Sequence, residues 1–561
     1  MAIIGIDLGT SNSLVSYWKD GEAIMVSNVF NEFLTPSIIS IDETGEILVG
    51  KSAKERLISH PDRTAAVFKR YMGTKKKFQL AERSFSPVEL SMLLLRQLKQ
   101  DVEVYLEEKI EGAVITVPAY FNNLQREATM QAAELSGIPV LGLVSEPTAA
   151  ALAYGIHRNE ADLTFIIVDL GGGTFDVSIL EMFEGVMQVR AISGDNLLGG
   201  ENFSEQIISY ILEEKNITKE MLTKTEQSLL YKKVESLKKQ IGIDKVMNIE
   251  FSVDNNRYKC DISSGKIKEI CQKLLLRMRL PILRALKDAN TSIEELDHVI
   301  LIGGATKLDI VQDYLRHLLL KFPYTNIDPE QAVALGASVQ AALITRNQDV
   351  SEFIMTDVCG FSLGVEVTEE YDGYLSNGMF QPIIDRNSTI PISIEETFRT
   401  MYPNQEKLEI NVYQGENRRV EDNLKIGTLT FSLPKSDEQQ LVNIRFTYDT
   451  NGILEVIAIL PETKEEHTCY IQQGKRFSKE EIQASFSKLT ELKTHPRERE
   501  ENRYLLARGE RIYAETIGAE RDSVKQSILA FETALAKQNE IEIRNAAKKL
   551  KALLASFEEE L

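Results

Sequence analysis

Two short acidic glycine turns constrain this chain more than anything else in it. One is Gly5-Ile-Asp-Leu-Gly-Thr-Ser-Asn-Ser13; the other is Val168-Asp-Leu-Gly-Gly-Gly-Thr-Phe-Asp176. Each follows an apolar run that reads as a buried strand, and each leads into a second one. The pattern is strand–turn–strand with an Asp at the lip, written twice. Asp7 and Asp169 stand 162 positions apart, which suggests a duplicated subdomain with a ligand between its halves. Glycine lets backbone N–H groups come close to phosphate oxygens, and the Asp residues can hold a hydrated Mg²⁺. One such turn would be read as an ordinary hairpin; two in matching context make a clamp for a nucleotide triphosphate.

The remaining composition sets bounds. At 561 residues the chain should hold several domains, because single cores stop growing near roughly 250–300 residues. Apolar content of 43% and charged content of 26% suit a soluble globular protein. No stretch has the length of a membrane span, and the opening Met-Ala-Ile-Ile-Gly-Ile-Asp reads as a first strand, not a leader. Cys260, Cys271, Cys359 and Cys469 are widely spaced and point to buried thiols in a reducing cytoplasm. Six scattered histidines give no zinc pattern, and a net charge of −20 argues against general nucleic-acid binding.

Residues 1–345 alternate strand-like runs (112–117, 164–168, 299–302) with helical ones (87–109, 125–136), an α/β pattern. At 346–357 a polar stretch precedes Phe353-Ile-Met355; an edge strand and a docking segment fit this equally well. From Gly360 to about Gln473 the pattern turns β. Leu408–Tyr413 and Asn443–Tyr448 alternate, and Thr450-Asn-Gly452 supplies a hairpin turn. This part reads as a β-sandwich. The tail, 478–561, is helical. Ser478-Lys-Glu-Glu481 forms a capping box with Phe477 and Ile482 as its staple; His495-Pro496 interrupts the helix, and Val524, Ile528, Phe531 and Leu535 form one stripe.

The residues in the first part suit cleavage of a γ-phosphate, which needs charge neutralisation and an oriented water. Asp7 and Asp169 are the metal candidates. Gly9, Thr10, Ser11 and Asn12 offer donors on one side; Gly171, Gly172 and Gly173 offer them on the other. Lys69 could reach the γ-phosphate, although a lone lysine is usually a surface residue. Glu146 and Asp176 could orient water; Glu146 also fits as a charge favourable to a helix N-terminus. Gly303-Gly304 could let an adenosine approach closely, but taken alone it reads first as a plain strand-to-helix turn.

Taken together these motifs resemble the 70-kDa heat-shock chaperone (DnaK-like) family. The resemblance runs from Ile3 to about Gly474 and adds Val114–Asn122, Glu146–Gly155, Leu198-Gly-Gly-Glu201, Val299–Gly304 and Ala332–Ala337. It implies an actin-like (ribonuclease H-like, duplicated) ATPase domain, an interdomain linker, a peptide-binding β-sandwich and a short helical lid. ATP and Mg²⁺ would be the cofactors and extended apolar client segments the partners. ATP would open the peptide site, and hydrolysis would close it. Lys69 matches the catalytic lysine, and Thr174 the threonine beside the γ-phosphate. Glu146 and Asp176 complete the catalytic set. Gly199, Gly200, Glu201, Glu235, Lys238, Lys239, Gly242, Gly303, Gly304 and Lys307 match nucleotide positions. Pro118 and Arg126 match the proline switch and its arginine relay, and Asp357 belongs to the docking linker. Val365, Val367, Thr368, Phe398, Met401, Leu408 and Ile410 fall on peptide-site positions; without the resemblance the apolar ones read as sandwich core.

Some positions depart from the family. Gly242 replaces a serine, Lys307 an arginine that stacks on adenine, and Asn202 an aspartate, so weaker nucleotide retention is expected. Gly142 replaces an arginine that contacts J-domain partners, which points to a dedicated co-chaperone. Thr368 and Met401 place arch bulk on the opposite side. The brief lid and the shortened stretch between Lys69 and Pro118 resemble the HscC-type branch. A sugar kinase, an actin-like filament protein or an exchange factor could share the duplicated turns. The sandwich discriminates against the first two, and the persistence of Lys69, Glu146, Thr174 and Asp176 against the third. The sequence leaves open the client, the need for an exchange factor and the oligomeric state.

Overall fold

The computed structural model describes residues 2–154, 162–183, 186–240, 246–254, 256–324, 326–345, 354–371, 374–449, 452–472, 486–487, 489, 493 and 495–558. The chain forms two units: Met1–Phe361 with Arg386–Thr389 and Gln473–Lys475, and the rest from Ser362 onward.

The duplication seen in the turns is written into the sheets of the first unit. Strands β1 (Ala2–Asp7), β2 (Asn12–Lys19), β3 (Glu22–Val26), β4 (Ile110–Val117) and β5 (Val140–Ser145) lie in the order β5-β4-β1-β2-β3. Strands β6 (Leu163–Leu170), β7 (Phe175–Phe183), β8 (Val186–Asp195), β9 (His298–Ile302) and β10 (Pro323–Tyr324) repeat that order as β10-β9-β6-β7-β8. In both sheets the first three strands are antiparallel and the next two join in parallel. A continuous apolar run such as Phe165-Ile-Ile-Val168 is what a strand buried on both faces requires, and all four side chains are buried.

Helices cover the sheets. Helix α1 (Pro87–Leu106) starts with Ser86 and Glu89 in a capping box and ends at Glu107 in the left-handed region. It is followed by α2 (Asn123–Ser136), α3 (Glu146–Ala153), α4 (Gly200–Glu214), α5 (Lys224–Gln240), α6 (Gln272–Asp288) and α7 (Ala332–Ile344). Helix α7 is apolar on nearly every side because it is buried on nearly every side, packing on α3, β1 and β2. The α3–α7 approach is closer than any side chain allows. A Cβ on Gly336 would stand 1.6 Å from the Ala149 carbonyl oxygen.

The segment left open between edge strand and docking element forms a strand of the second sheet, one in from its edge. Strand β11 (Ile354–Val358) adds in parallel to β8, with Ile354 opposite Val186 and Thr356 opposite Gln188. Phe353 and 346–352 lie outside the described residues.

The second unit has two four-stranded antiparallel sheets. One joins β12 (Leu363–Tyr371), β13 (Tyr374–Ile384), β15 (Lys407–Gln414) and β16 (Leu424–Ser432); the other joins β14 (Ile392–Arg399), β17 (Leu441–Tyr448), β18 (Leu454–Leu460) and β19 (Glu465–Ile471). Gly452 takes the positive φ (79°) its turn needs. Thr450 and Asn451 fall outside the described residues, as do Phe477, the Ser478–Glu481 capping box and Ile482. After a single turn at Pro496–Glu498 come α8 (Glu500–Glu515), α9 (Gly518–Lys537) and α10 (Glu540–Glu558). The predicted stripe Val524, Ile528, Phe531 and Leu535 is buried in their shared core. Gln538, at the turn after α9, exchanges hydrogen bonds with the Glu395 backbone on edge strand β14 (2.9 and 3.4 Å). No helix among the described residues is long and apolar enough to cross a membrane.

Candidate active site

The two acidic turns meet. A Cβ on Gly172 would stand 2.0 Å from Ser11 Oγ, and one on Gly173 2.9 Å from Thr10 Cγ2. A side chain at either position would force Ser11 or Arg70 to move, so the glycines let the second turn face the first closely. The turn is braced from behind by the start of α4, whose Gly200 and Glu201 N–H groups donate to the Gly171 and Gly172 carbonyls at 2.9 Å. Gly199 closes the back of the turn, where a Cβ would come within 2.5 Å of Gly173 N. Gly303 holds a φ of +83°, and a Cβ there would strike Leu170 O and Asp169 Oδ1.

A cleft opens between the turns. From the sequence-predicted set it is lined by Asp7, Gly9, Thr10, Ser11, Asn12, Lys69, Glu146, Asp169, Gly171, Gly172, Thr174, Gly200, Glu201, Glu235, Lys238, Gly303 and Gly304. Gly173, Gly199 and Asp176 are not among the residues that line it. The Lys239 side chain and Gly242 lie outside the description. Lys307 is drawn away by two carboxylates, Glu330 Oε2 at 2.6 Å and Asp328 Oδ1 at 2.9 Å. Sequence reasoning missed Leu14, Leu34, Ala305, Leu308, Pro329, Glu330 and Val333, which also line the cleft. For Leu14 a signal existed. It pairs with Asp7 across β1 and β2 as Asp176 pairs with Asp169 across β6 and β7. At this position the two copies differ: a leucine in the first, a carboxylate in the second.

The cleft is rich in buried charge. Lys69 sits in a short turn after Val67, which takes a left-handed φ of 52°. Its Nζ donates to Glu146 Oε1 at 2.8 Å, with both side chains buried. Glu146 occupies the first turn of α3, where the helix dipole favours a negative charge. Thr116 Oγ1 donates to Asp7 Oδ1 (3.0 Å), and Tyr120 N to Asp176 Oδ1 (3.1 Å). Asp176 Oδ2 is buried with no hydrogen-bond partner among the described residues. Burial, reinforced by the Glu146 charge, pushes Asp7 up to about 7 and Asp176 up to about 8. The same two causes, joined by Asp176 and Asp7, hold Asp169 well above the carboxylate range. Four carboxyl groups thus face one lysine, an excess of negative charge that a divalent cation would offset. Among the described residues no three acidic or imidazole groups converge as a cage. A cation held largely through water and phosphate fits such a site.

On the cleft's other wall Lys238 Nζ donates to Gly200 O (2.9 Å), Ser204 Oγ (2.7 Å) and Glu235 Oε1 (2.5 Å). Asn202 Oδ1 accepts from Gly199 N (3.0 Å) and from Arg70 (3.3 Å), so it works as a cap for α4.

From Asp176 a chain of contacts runs to β11. Tyr120, which holds Asp176, stacks on Phe361 with ring centroids 4.4 Å apart. Pro118 is buried at the start of this turn, and its carbonyl accepts from Phe121 N. Arg126 Nε donates to Phe121 O (3.4 Å) and lies near Asp357. Burial raises the Asp357 carboxyl, with Val358 N–H and Arg126 acting against it. Gly142 has open space around it; a Cβ would meet only Ile344 Cδ1, at 3.7 Å.

In the second unit, β12 and β15 pair only from Leu363–Gln414 to Val365–Val412, although both strands run on. Their unpaired ends carry Val367, Thr368, Leu408 and Ile410. Val365 and Ile410 are buried; Val367, Phe398 and Leu408 are half-buried; Thr368 and Met401 are exposed. Thr368 Oγ1 donates to Asn377 Oδ1 (2.9 Å), and the Met401 backbone is held by Gln405 and Gln439.

Comparison with known proteins agrees with this arrangement. The profile of the family described as Hsp70 protein matches residues 3–79 and 75–560. "Chaperone protein DnaK" of Thermosipho melanesiensis is 36% identical over 496 residues, covering 86% of this chain and 82% of that protein. The chain belongs to the Hsp70 family, the ATP-hydrolysing, ATP-dependent molecular chaperones.

Proposed function

We propose that the cleft holds ATP with Mg²⁺ and that residues 1–345 form the ATPase domain. Residues 346–357 act as linker, 358–477 as the client-binding sandwich and 478–561 as its lid. Asp7 and Asp169 would hold the cation through water, and the cation would supply charge neutralisation for the phosphates. Thr10, Ser11, Asn12 and the 171–173 turn bind the phosphates from opposite sides. Lys69 places a positive charge at the γ-phosphate, with Glu146 fixing its position. Glu146 and Asp176 orient the attacking water, and Thr174 steadies the phosphate being transferred. Glu201, Glu235, Lys238, Gly303 and Gly304 form the nucleoside side of the site.

Client chains bind in an extended form where β12 and β15 part, using main-chain hydrogen bonds for affinity and the pocket of Val367, Phe398 and Leu408 for an apolar side chain. Pro118, Arg126 and Asp357 carry the nucleotide state to the linker. A J-domain protein, dedicated to this chaperone, would stimulate the cycle in a reducing cytoplasm. The observation that carries this reading is the face-to-face approach of the two turns over the buried Lys69–Glu146 pair.

Steady-state ATP hydrolysis tests it. Lys69→Ala should lower kcat by about 10²–10³-fold while Mg-ATP still binds, as expected when one group that stabilises the transition state is removed. Unchanged turnover in that variant would overturn the assignment.

A further inference from the structure

Helix α6 presents a face that the ATPase site does not use. Its sequence is Gln272-Lys-Leu-Leu-Leu-Arg-Met-Arg-Leu-Pro-Ile-Leu-Arg-Ala-Leu-Lys-Asp288. Leu274, Leu275, Met278, Ile282, Ala285 and Leu286 are buried, and the helix lies against β7 and β8. A second apolar row looks outward: Leu276 is 50% exposed, Leu280 69% and Leu283 39%. Spacings of four and three put these leucines on one stripe. A single exposed leucine needs no explanation, but three in a row on a surface helix form a patch.

The charges on α6 that carry no ion pair among the described residues are all positive. Lys273, Arg279, Arg284 and Lys287 are exposed and have no ion-pair partner among the described residues. The two nearby carboxylates are already paired, Asp195 with Arg277 (2.6 Å) and Asp288 with Arg386 (2.7 Å), so neither is available to offset them. A cationic, leucine-lined ridge on a chain of net charge −20 is a local reversal. A broad anionic bilayer would bring its charge within a Debye length, roughly 8 Å, of the acidic surface around the ridge and be repelled, whereas a small acidic segment can reach the ridge alone.

We propose that this face of α6 docks an acidic amphipathic helix of a partner protein. Leucines of that helix at i, i+4 and i+7 would interdigitate with Leu276, Leu280 and Leu283, and its flanking carboxylates would meet Lys273, Arg279, Arg284 and Lys287. The docking face lies outside the nucleotide cleft.

The experiment is fluorescence anisotropy on the full chain. The probe is a labelled helical peptide with leucines at i, i+4 and i+7 and glutamates elsewhere; a scrambled peptide of equal composition is the control. An excess of an unlabelled, unstructured apolar peptide keeps the client groove filled. Saturable binding is expected for the probe and at least tenfold weaker binding for the scramble. Leu276→Gln/Leu280→Gln/Leu283→Gln should weaken the probe at least tenfold, as should Arg284→Glu/Lys287→Glu, with basal ATPase intact in both. Added salt should weaken binding further. Equal binding to the leucine variant, or displacement by the apolar peptide, would overturn the proposal. So would leucine-dependent sedimentation with phosphatidylglycerol vesicles in place of probe binding, or leucine-dependent self-association of the chain.

Discussion

At the scale of single residues, function here rests on which atoms are missing as much as on which are present. Gly172 has no Cβ because Ser11 Oγ stands where one would go. Gly172→Ala should push the turns apart and weaken Mg-ATP binding at least tenfold by calorimetry, a cost on the order of 1–3 kcal/mol for a forced contact. Lys307 is held between Asp328 and Glu330. Lys307→Arg restores a planar, stackable group, so ADP should bind severalfold tighter; unchanged affinity would remove Lys307 as a cause of weak retention. The Asp residues at the lips were legible in the sequence because acidic glycine turns are rare in matched pairs. The apolar lining, Leu34, Leu308 and Val333, was not. Nothing in a lone leucine tells a core position from the wall of a cleft until distant segments are brought together.

At the scale of elements, strand β11 is the informative case. Its residues read as edge strand or docking segment, and it pairs with β8 as a strand one in from the sheet edge. Such pairing lies beyond periodicity, because the partner is more than 150 residues away in the chain. Helices α1 and α2 were legible as helical runs, and strands such as Thr164–Val168 as unbroken apolar ones. The left-handed residue Val67, which turns Lys69 inward, was not, since a β-branched residue gives no warning of positive φ. Asp357 in β11 supplies a pH prediction. Its carboxyl is raised above the ordinary 3.8 when the strand is docked. A raised folded-state pKa means that docking favours the protonated form. Docking is therefore strongest below the ordinary value and weakens as pH rises through the raised one. Asp357→Asn should flatten that dependence and raise protection of the Thr356–Val358 amides in hydrogen exchange near neutral pH. A variant with the wild-type pH slope would exclude Asp357 as its source.

At the scale of the whole molecule, the two units are readable separately: a duplicated α/β sheet pair with its cleft, and a β-sandwich whose strands part with helices following. The functional link proposed between them starts on the path from Asp176 through Tyr120 and the Pro118 turn to Arg126 and Asp357, all within the first unit. A path of contacts becomes a coupling only when both ends bias it. The most direct measurement is steady-state ATP turnover of the full chain with and without a saturating unstructured apolar peptide, in the wild type and in Asp357→Ala. Peptide should raise wild-type turnover severalfold and leave the variant near its own basal rate. Equal wild-type turnover with and without bound peptide would contradict the coupling between cleft and sandwich.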